Sequence, residues 1–351
     1  MSRKLITIST IMTLMSTSVI ADVPNVAADI APIHSLVSRV MDGVGAPKLI
    51  VQSGASPHGY RLRPSEAKAL QDADHVFWMG EELTPWLDSA IDTLATKASV
   101  TTLLDQEGII LHDFREGALF EAHDHSAHGD DDHDDHDDHD DHKDHDDHDD
   151  HDDHDDHKDH DDHDDHEDHD DHKDHDDHDD HGSHDPHAWL SPENAKLWLN
   201  IIASKLSVSD PENAATYFMN AAAGQAEIEA MIAEVKATLK PVQGGKFVVF
   251  HDAYQYFEND FDFYASGAIS LGDSSDPSPA RIEKVQKRIR DEGIQCVLAE
   301  PQFKKGLVAT VMEGSDATAS VIDPLGTELE TGPKLYTQLI KNMAKTLRNC
   351  L

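Results

Sequence analysis

The sequence predicts an α/β fold of two βα lobes with parallel-type sheets, joined by one long helix, with a metal site in the cleft between the lobes. Short apolar segments that suit strands alternate with helical segments on both sides of a low-complexity tract. About 30 residues after Asp210 keep a helical pattern until Pro241. The chain of 351 residues is also long enough for two lobes rather than one core.

The first 21 residues have the pattern of a secretory signal peptide. Arg3 and Lys4 precede an apolar run over residues 5–14, and small residues stand at the −3 and −1 positions before Asp22. The apolar run is too short to span a bilayer, although an N-terminal anchor is the alternative. We therefore expect an exported mature chain that begins near Asp22 and is free in solution.

The first lobe, expected at residues 22–209, alternates strands and helices. Predicted strands lie at 23–30, 49–52, 75–79 and 99–103. Predicted helices lie at 33–41, from Pro64 onward, and at 84–96. A further helix begins at Ser191, Pro192 and Glu193, which combine a capping hydroxyl, a proline at the first position and an acid in the first turn.

An insertion at residues 122–185 interrupts this lobe. It repeats Asp-Asp-His in steps of three and contains almost no apolar residues. Such a segment cannot bury enough surface to offset the entropy of ordering, so we expect it to be disordered. Histidines beside carboxylates at this spacing predict a flexible chelator with several weak metal sites, rather than only an acidic solubilising tract.

A linking helix is expected at residues 210–241, where Asp210, Pro211 and Glu212 repeat the helix-start signal. At 1.5 Å per residue it would span about 45 Å, which is more than one lobe needs. A stiff connection of this kind disfavours a large closing movement of the lobes. A hinged pair of lobes is the alternative.

The second lobe follows at 242–351. Its predicted strands are 246–250, 267–270, 295–299 and 319–322, and its predicted helices are 279–291, 303–312 and 333–348.

The chain has only two cysteines, Cys296 and Cys350. In an oxidising compartment an even pair predicts one disulfide, and two buried thiols are the alternative. The bond would join a predicted strand to the last residues of the chain.

Side chains that can bind metal follow the predicted strands. His58 comes shortly after the second strand, while His251, Glu300 and Asp323 directly follow strands of the second lobe. Ligands of open α/β sheets bind at the carboxyl ends of the strands, so these groups should meet in one cleft. His187 lies where the insertion rejoins the fold. Imidazole is a good zinc ligand, and three such ligands leave a fourth position open.

Three other histidines outside the insertion, at positions 34, 75 and 112, fit an ordinary structural role.

The overall net charge of −42 argues against binding of nucleic acid or anionic lipid. Most of that charge is local, because residues 121–185 carry 35 Asp or Glu and 3 Lys.

Several motifs together resemble the zinc-specific substrate-binding proteins of bacterial zinc ABC importers, the metal-binding class with a rigid linking helix. The matching segments are Gly54-Ala55-Ser56-Pro57-His58-Gly59-Tyr60, Leu62-Arg63-Pro64-Ser65, His187-Ala188-Trp189-Leu190-Ser191-Pro192-Glu193, Phe250-His251-Asp252-Ala253-Tyr254, Ala299-Glu300-Pro301-Gln302-Phe303 and Asp323-Pro324-Leu325-Gly326. The resemblance covers nearly the whole mature chain, and it implies a monomer in the periplasm that delivers Zn(II) to a membrane permease.

The resemblance also implies a ligand set. The family's three histidine ligands correspond to His58, His187 and His251, and a third imidazole in place of a carboxylate favours zinc over manganese. Some zinc members have an acid where Pro57 stands here, so the fourth ligand is open between water, Asp323 and a histidine of the insertion. Cysteines 296 and 350 match a disulfide of some zinc members.

Two other functions compete with zinc import. A zinc metallohydrolase would use a similar three-histidine site, but the His-Glu-x-x-His pattern is absent and no nucleophile or phosphate motif occurs. We therefore expect no enzymatic activity, although Glu300 could serve as a base. A zinc buffer or adhesin without a transporter partner is the second alternative. A manganese or iron binder is a variant within the same class of metal-binding protein.

Overall fold

The structure is a computed structural model that describes residues 23–115, 120, 184–270, 277–302 and 305–351. The expected signal peptide and nearly all of the expected insertion lie outside these residues. All described residues belong to one compact unit.

The first sheet has four parallel strands in the order β2-β1-β3-β4. The strands are β1 (Val26–Ala28), β2 (Lys48–Leu49), β3 (His75–Trp78) and β4 (Ser99–Thr102). The helices around it are α1 (Ala31–Val40), α2 (Pro64–Gln71) and α3 (Pro85–Leu94). Each of these helices has a proline in its first turn, where a missing N–H breaks no helical hydrogen bond. The strands β1 and β3 are buried throughout, as expected for the interior of a parallel sheet.

Two helices connect the sheets. The helix α4 (Pro192–Ser209) begins as predicted, because the Ser191 hydroxyl accepts a hydrogen bond from the Asn194 N–H. The long helix α5 (Ala214–Leu239) packs against α1, α4 and the last helix of the chain. Its 26 residues correspond to about 39 Å at 1.5 Å per residue.

The predicted start of the long helix at Asp210 is wrong by one turn. Asp210 is the C-cap residue of α4, and its buried carboxylate accepts hydrogen bonds from the Asn213 amide and the Tyr217 hydroxyl, both at 2.8 Å. The same residue type serves at a helix start or in the turn that precedes it, and here the carboxylate links α4 to the first turn of α5.

The second sheet repeats the parallel arrangement in the order β6-β5-β7-β8. Its strands are β5 (Phe247–His251), β6 (Ala268–Ser270), β7 (Cys296–Ala299) and β8 (Thr318–Val321). Its helices are α6 (Gln255–Phe261), α7 (Pro279–Glu292), α8 (Lys305–Met312) and α9 (Leu335–Cys350). The predicted fold class of two parallel-sheet lobes is confirmed.

Cys296 and Cys350 form the predicted disulfide, with their Cα atoms 5.6 Å apart. Cys296 is the first residue of β7, which is an interior strand, and Cys350 is the last residue of α9. The bond therefore fastens the end of the chain to the middle of the second sheet.

One buried core runs through both halves of the molecule. It includes Phe77 of the first sheet, Phe247 of the second sheet, and Met231 and Ile340 of α5 and α9. Hydrogen bonds also cross between the halves: the Ser35 hydroxyl donates to the Gly332 carbonyl at 2.7 Å. In the described part of the chain, no helix combines the length and the apolarity needed to cross a membrane.

Residues that precede the expected insertion pair with its last two residues. Asp113 and His184 form an isolated antiparallel bridge, and the Asp185 N–H donates to the His112 carbonyl at 2.7 Å. We call residues 112–115 and 184–185 the stem. Backbone pairing is thus seen again at His184, one residue before the expected end of the insertion.

Candidate metal centre

Three imidazoles from separate parts of the chain come together. His58, His187 and His251 each offer one ring nitrogen, and the three nitrogens lie within 4.8 Å of one another. The ring centroids are 4.8 Å apart for His187 and His251, 5.5 Å for His58 and His187, and 6.0 Å for His58 and His251. Among the residues that the structure describes, this is the only such group of three or more metal-ligating side chains.

His58 lies on the loop between β2 and α2. The loop turns at Gly54, whose φ of 84° favours glycine, and the Trp86 indole N–H donates to the Pro57 carbonyl at 2.6 Å. Further along, the Tyr60 hydroxyl donates to the Glu66 carboxylate of α2 at 2.7 Å. These bonds position the loop on both sides of His58, whose side chain remains partly exposed.

His187 has a carboxylate partner. Its Nδ1 lies 2.6 Å from the Asp185 Oδ1, and the same oxygen accepts the His187 backbone N–H at 3.0 Å. With the proton on Nδ1, the lone pair is on Nε2 and can bind a metal. Burial raises the pKa of Asp185 to about 6, while the hydrogen bond from the His187 N–H lowers it.

His251 is the last residue of β5, an interior strand of the second sheet. Its Nδ1 lies 3.4 Å from Oε1 of Glu300, which follows β7. The parallel pairing of β5 with β7 brings the two side chains to the same edge of the sheet. In two of the three imidazoles a carboxylate oxygen therefore lies near Nδ1, and Nε2 on the other side of the ring is the potential metal-binding nitrogen.

The spacing of the imidazoles leaves room for a small adjustment. Zn–N bonds of about 2.0–2.1 Å in a tetrahedron place two ligand nitrogens about 3.3 Å apart. His187 and His251 are each 4 % exposed, whereas His58 is the least buried of the three and lies on a loop. We expect that metal binding would draw His58 toward the other two rings.

Asp323 follows β8 and lies in a tight loop of its own. Its carboxylate accepts the backbone N–H groups of Leu325, Gly326 and Thr327 at 2.6–3.0 Å, and the Thr327 hydroxyl at 2.8 Å. Asp323 does not belong to the histidine group. Its suggested role as the fourth ligand stays a prediction, as do those of water and of a histidine of the insertion.

The remaining described histidines outside the stem have structural contacts. His34 Nε2 lies 3.2 Å from the Pro47 carbonyl. His75 Nε2 lies 2.7 Å from the Ser209 hydroxyl, and its ring stacks on Phe77. In the stem, the His112 ring packs 4.7 Å from the Tyr256 ring.

The contact of Asp185 with the His187 ring was not predicted from the sequence, because Asp185 was assigned to the insertion. The signal was present, because Asp185 and His187 occur in one short motif, but the contact depends on the backbone turn between them. Glu300 was identified as metal-capable from its position after a strand, and its contact with His251 suggests support of a ligand instead.

The chain is similar to several known proteins. Residues 26–350 match the family described as zinc-uptake complex component A, periplasmic. The high-affinity zinc uptake system protein ZnuA of Brucella abortus is 48 % identical over 326 residues, which cover 93 % of this chain and 91 % of the relative. The protein of the same name from Paracoccus denitrificans is 44 % identical over 332 residues, which cover 94 % and 93 %.

Among solved structures, a crystal structure of ZnuA superposes with a TM-score of 0.68 at 18 % identity, covering 94 % of this chain and 99 % of that one. At this identity the likeness shows a shared fold.

Proposed function

The chain belongs to the periplasmic zinc-uptake complex component A family, and from that premise we propose that it captures Zn(II) and delivers it to an ABC-type membrane importer. The observation that carries the proposal is the group formed by His58, His187 and His251, whose ring nitrogens lie within 4.8 Å of one another. Relatives that are 44–48 % identical are named high-affinity zinc uptake proteins.

The donor set favours zinc over harder cations. Three imidazoles suit zinc, whereas sites rich in carboxylates suit manganese, magnesium or calcium. The carboxylates of Asp185 and Glu300 lie against imidazoles, where they support the ligands. We propose that water, Asp323 or a histidine of the insertion completes the tetrahedron.

The chain organisation belongs to the same proposal. We propose that residues 1–21 direct export and are removed. The lobes would then occupy 22–209 and 242–351, with 210–241 as the link. A disulfide between Cys296 and Cys350 suits the oxidising periplasm. The insertion at 122–185 would hold zinc weakly and raise its local concentration beside the cleft.

The first experiment separates the cleft from the insertion. Mature protein lacking residues 122–181 keeps the stem residues His184 and Asp185, and it is titrated with zinc against a strong competing chelator. We expect one site with a dissociation constant on the order of nanomolar or tighter, which corresponds to a binding free energy of about −12 kcal/mol. Replacement of His58 by alanine in this protein should abolish that site. The matched control is His75→Ala, since His75 contacts Ser209 rather than the histidine group.

Micromolar binding after the deletion would contradict the proposal and would favour a zinc buffer based on the insertion. Growth of a deletion strain separates uptake from buffering: an importer component is needed in zinc-poor medium and dispensable in zinc-rich medium. Zinc-dependent hydrolysis of ester or peptide substrates would instead support an enzyme.

A further inference from the structure

Arg115, in the stem, makes a dense set of ionic contacts. Its side chain is 16 % exposed and lies between Asp252 and Glu258, which are 7 % and 2 % exposed. Its Nε donates to Asp252 at 3.0 Å, one terminal nitrogen donates to Glu258 at 2.6 Å, and the other contacts both carboxylates. The guanidinium therefore joins two buried acids from the second half of the chain to the segment that precedes the insertion.

The contact with Asp252 connects Arg115 to His251. Asp252 directly follows His251, the last residue of β5. A fork of two N–H donors on one carboxylate restrains its position and its orientation, which a single point charge does not do. Through Asp252, Arg115 restrains the backbone next to the His251 imidazole.

The contact with Glu258 connects Arg115 to Asp185. Glu258 lies on α6, and the hydroxyl of Tyr256 on the same helix donates to the Asp185 carbonyl at 2.7 Å. That hydroxyl also accepts the His112 N–H at 3.1 Å. Asp185 in turn contacts the His187 imidazole at 2.6 Å. Through α6, Arg115 is thus connected to the residue that orients His187.

We propose that Arg115 is a positioning residue for the metal centre, because it holds Asp252 and α6 and so aligns His251 and His187 for one ion. The inference rests on the proposed function. Arg115 does not touch the metal in this account. It acts through Asp252 and α6, which lie next to two of the histidines. It thereby connects the stem to the geometry of the histidine group.

The test compares Arg115→Gln with Arg39→Gln in the full mature chain. Arg39 is a suitable control because its side chain is 14 % exposed and it also contacts a carboxylate through two nitrogens, with Glu227 at 3.0 and 3.1 Å. For each protein, chelator competition gives the zinc dissociation constant, and thermal unfolding of the zinc-free form gives its stability. Absorption of bound Co(II) reports the coordination geometry.

We expect Arg115→Gln to weaken tight zinc binding about 10–100-fold, the range for residues that support metal ligands, and to alter the Co(II) spectrum. Arg39→Gln should leave both unchanged. Arg115→Lys separates charge from position. Lysine restores the positive charge without the planar fork, so stability should recover more fully than zinc affinity.

Unchanged affinity and an unchanged Co(II) spectrum in folded Arg115→Gln would overturn the inference, as would parallel recovery of stability and affinity in Arg115→Lys. If Arg115→Gln does not fold, Asp252→Asn gives the same comparison, because it weakens the fork while leaving Arg115 with Glu258. Absence of tight zinc binding by the unmodified protein would contradict the proposed function itself, which distinguishes the two failures.

Discussion

At the residue scale, the candidate metal centre consists of three imidazoles and of carboxylates that lie beside two of them. Asp185 contacts the ring of His187 and also accepts its backbone N–H, so one oxygen restrains both the side chain and the main chain. Glu300 approaches His251 more loosely, with its Oε1 3.4 Å from the ring Nδ1. A metal ligand supported by a carboxylate keeps a single ring orientation and is more basic toward the metal.

We expect Asp185→Asn to weaken zinc binding by the protein that lacks residues 122–181 about 10-fold, and Asp185→Ala up to about 100-fold. The amide keeps an acceptor oxygen but loses the charge, whereas alanine removes the contact. Chelator competition measures both. The control is Asp260→Asn, since the Asp260 carboxylate accepts the Ser191 hydroxyl at 2.8 Å and does not belong to the histidine group. An equal loss in the control would show that Asp185 has no special role.

The three grouped histidines were predictable from the sequence, but not all the residues that contact or surround them. His251 and Glu300 could be placed because both lie at the carboxyl ends of neighbouring strands of one parallel sheet. Arg115 could not, because its partners Asp252 and Glu258 are 137 and 143 residues away and no local pattern marks the contact. Long-range ion pairs of this kind form only once the fold has brought the segments together.

At the element scale, the alternation of strands and helices was predictable, and the ends of elements were less so. The strands β3 and β7 nearly coincide with the predicted ranges, since their apolar runs have clear limits. The start of α5 was missed, because Asp210 ends the preceding helix, and its carboxylate accepts hydrogen bonds from Asn213 and Tyr217 at the start of the next one. A local capping pattern does not reveal whether an acidic residue begins a helix or ends the preceding one.

Asp29 joins the two interior strands of the first sheet, and it makes their stability depend on pH. It is fully buried after β1, and its two oxygens accept the Ile30 and Met79 N–H groups at 2.7 Å. Burial raises its pKa from an ordinary value of 3.8 to about 7. Between about pH 4 and 7 the folded state therefore keeps a proton that the unfolded state has lost, so this group lowers stability as pH rises.

We expect the stability of wild-type protein relative to Asp29→Asn to fall between pH 5 and pH 8, on the order of 1–3 kcal/mol, because asparagine cannot ionise. Urea unfolding of both zinc-free proteins at the two pH values measures the difference. Groups that titrate elsewhere cancel, since both proteins contain them. A difference that is the same at both pH values would mean that Asp29 ionises normally in the fold.

At the scale of the whole molecule, the two sheets behave as parts of one body. A single buried core includes side chains from both sheets, and α5 packs against α1 and α9. Domain closure through a large angle would have to open this core and expose apolar surface to water, at about 25 cal/mol per Å². Local movement of the His58 loop needs no such exposure.

We therefore expect little change of overall shape when zinc binds. Small-angle scattering from the protein lacking residues 122–181 should give the same radius of gyration, within error, with and without zinc. The His58→Ala form of that protein is the control for zinc effects outside the cleft. A measurable decrease that occurs only with His58 present would contradict the single-body description and would favour hinged lobes.

The bridge between Asp113 and His184 has a consequence for how this chain tolerates change. It brings together two points that are 71 residues apart, so the intervening segment begins and ends at one place on the surface. The entropy of closing such a loop rises only by about 0.6 kcal/mol for each doubling of its length. Repeats could therefore be gained or lost there with little effect on folding. The same property makes the stem a suitable graft point, where a fluorescent reporter could replace the repeats and turn the protein into a zinc sensor.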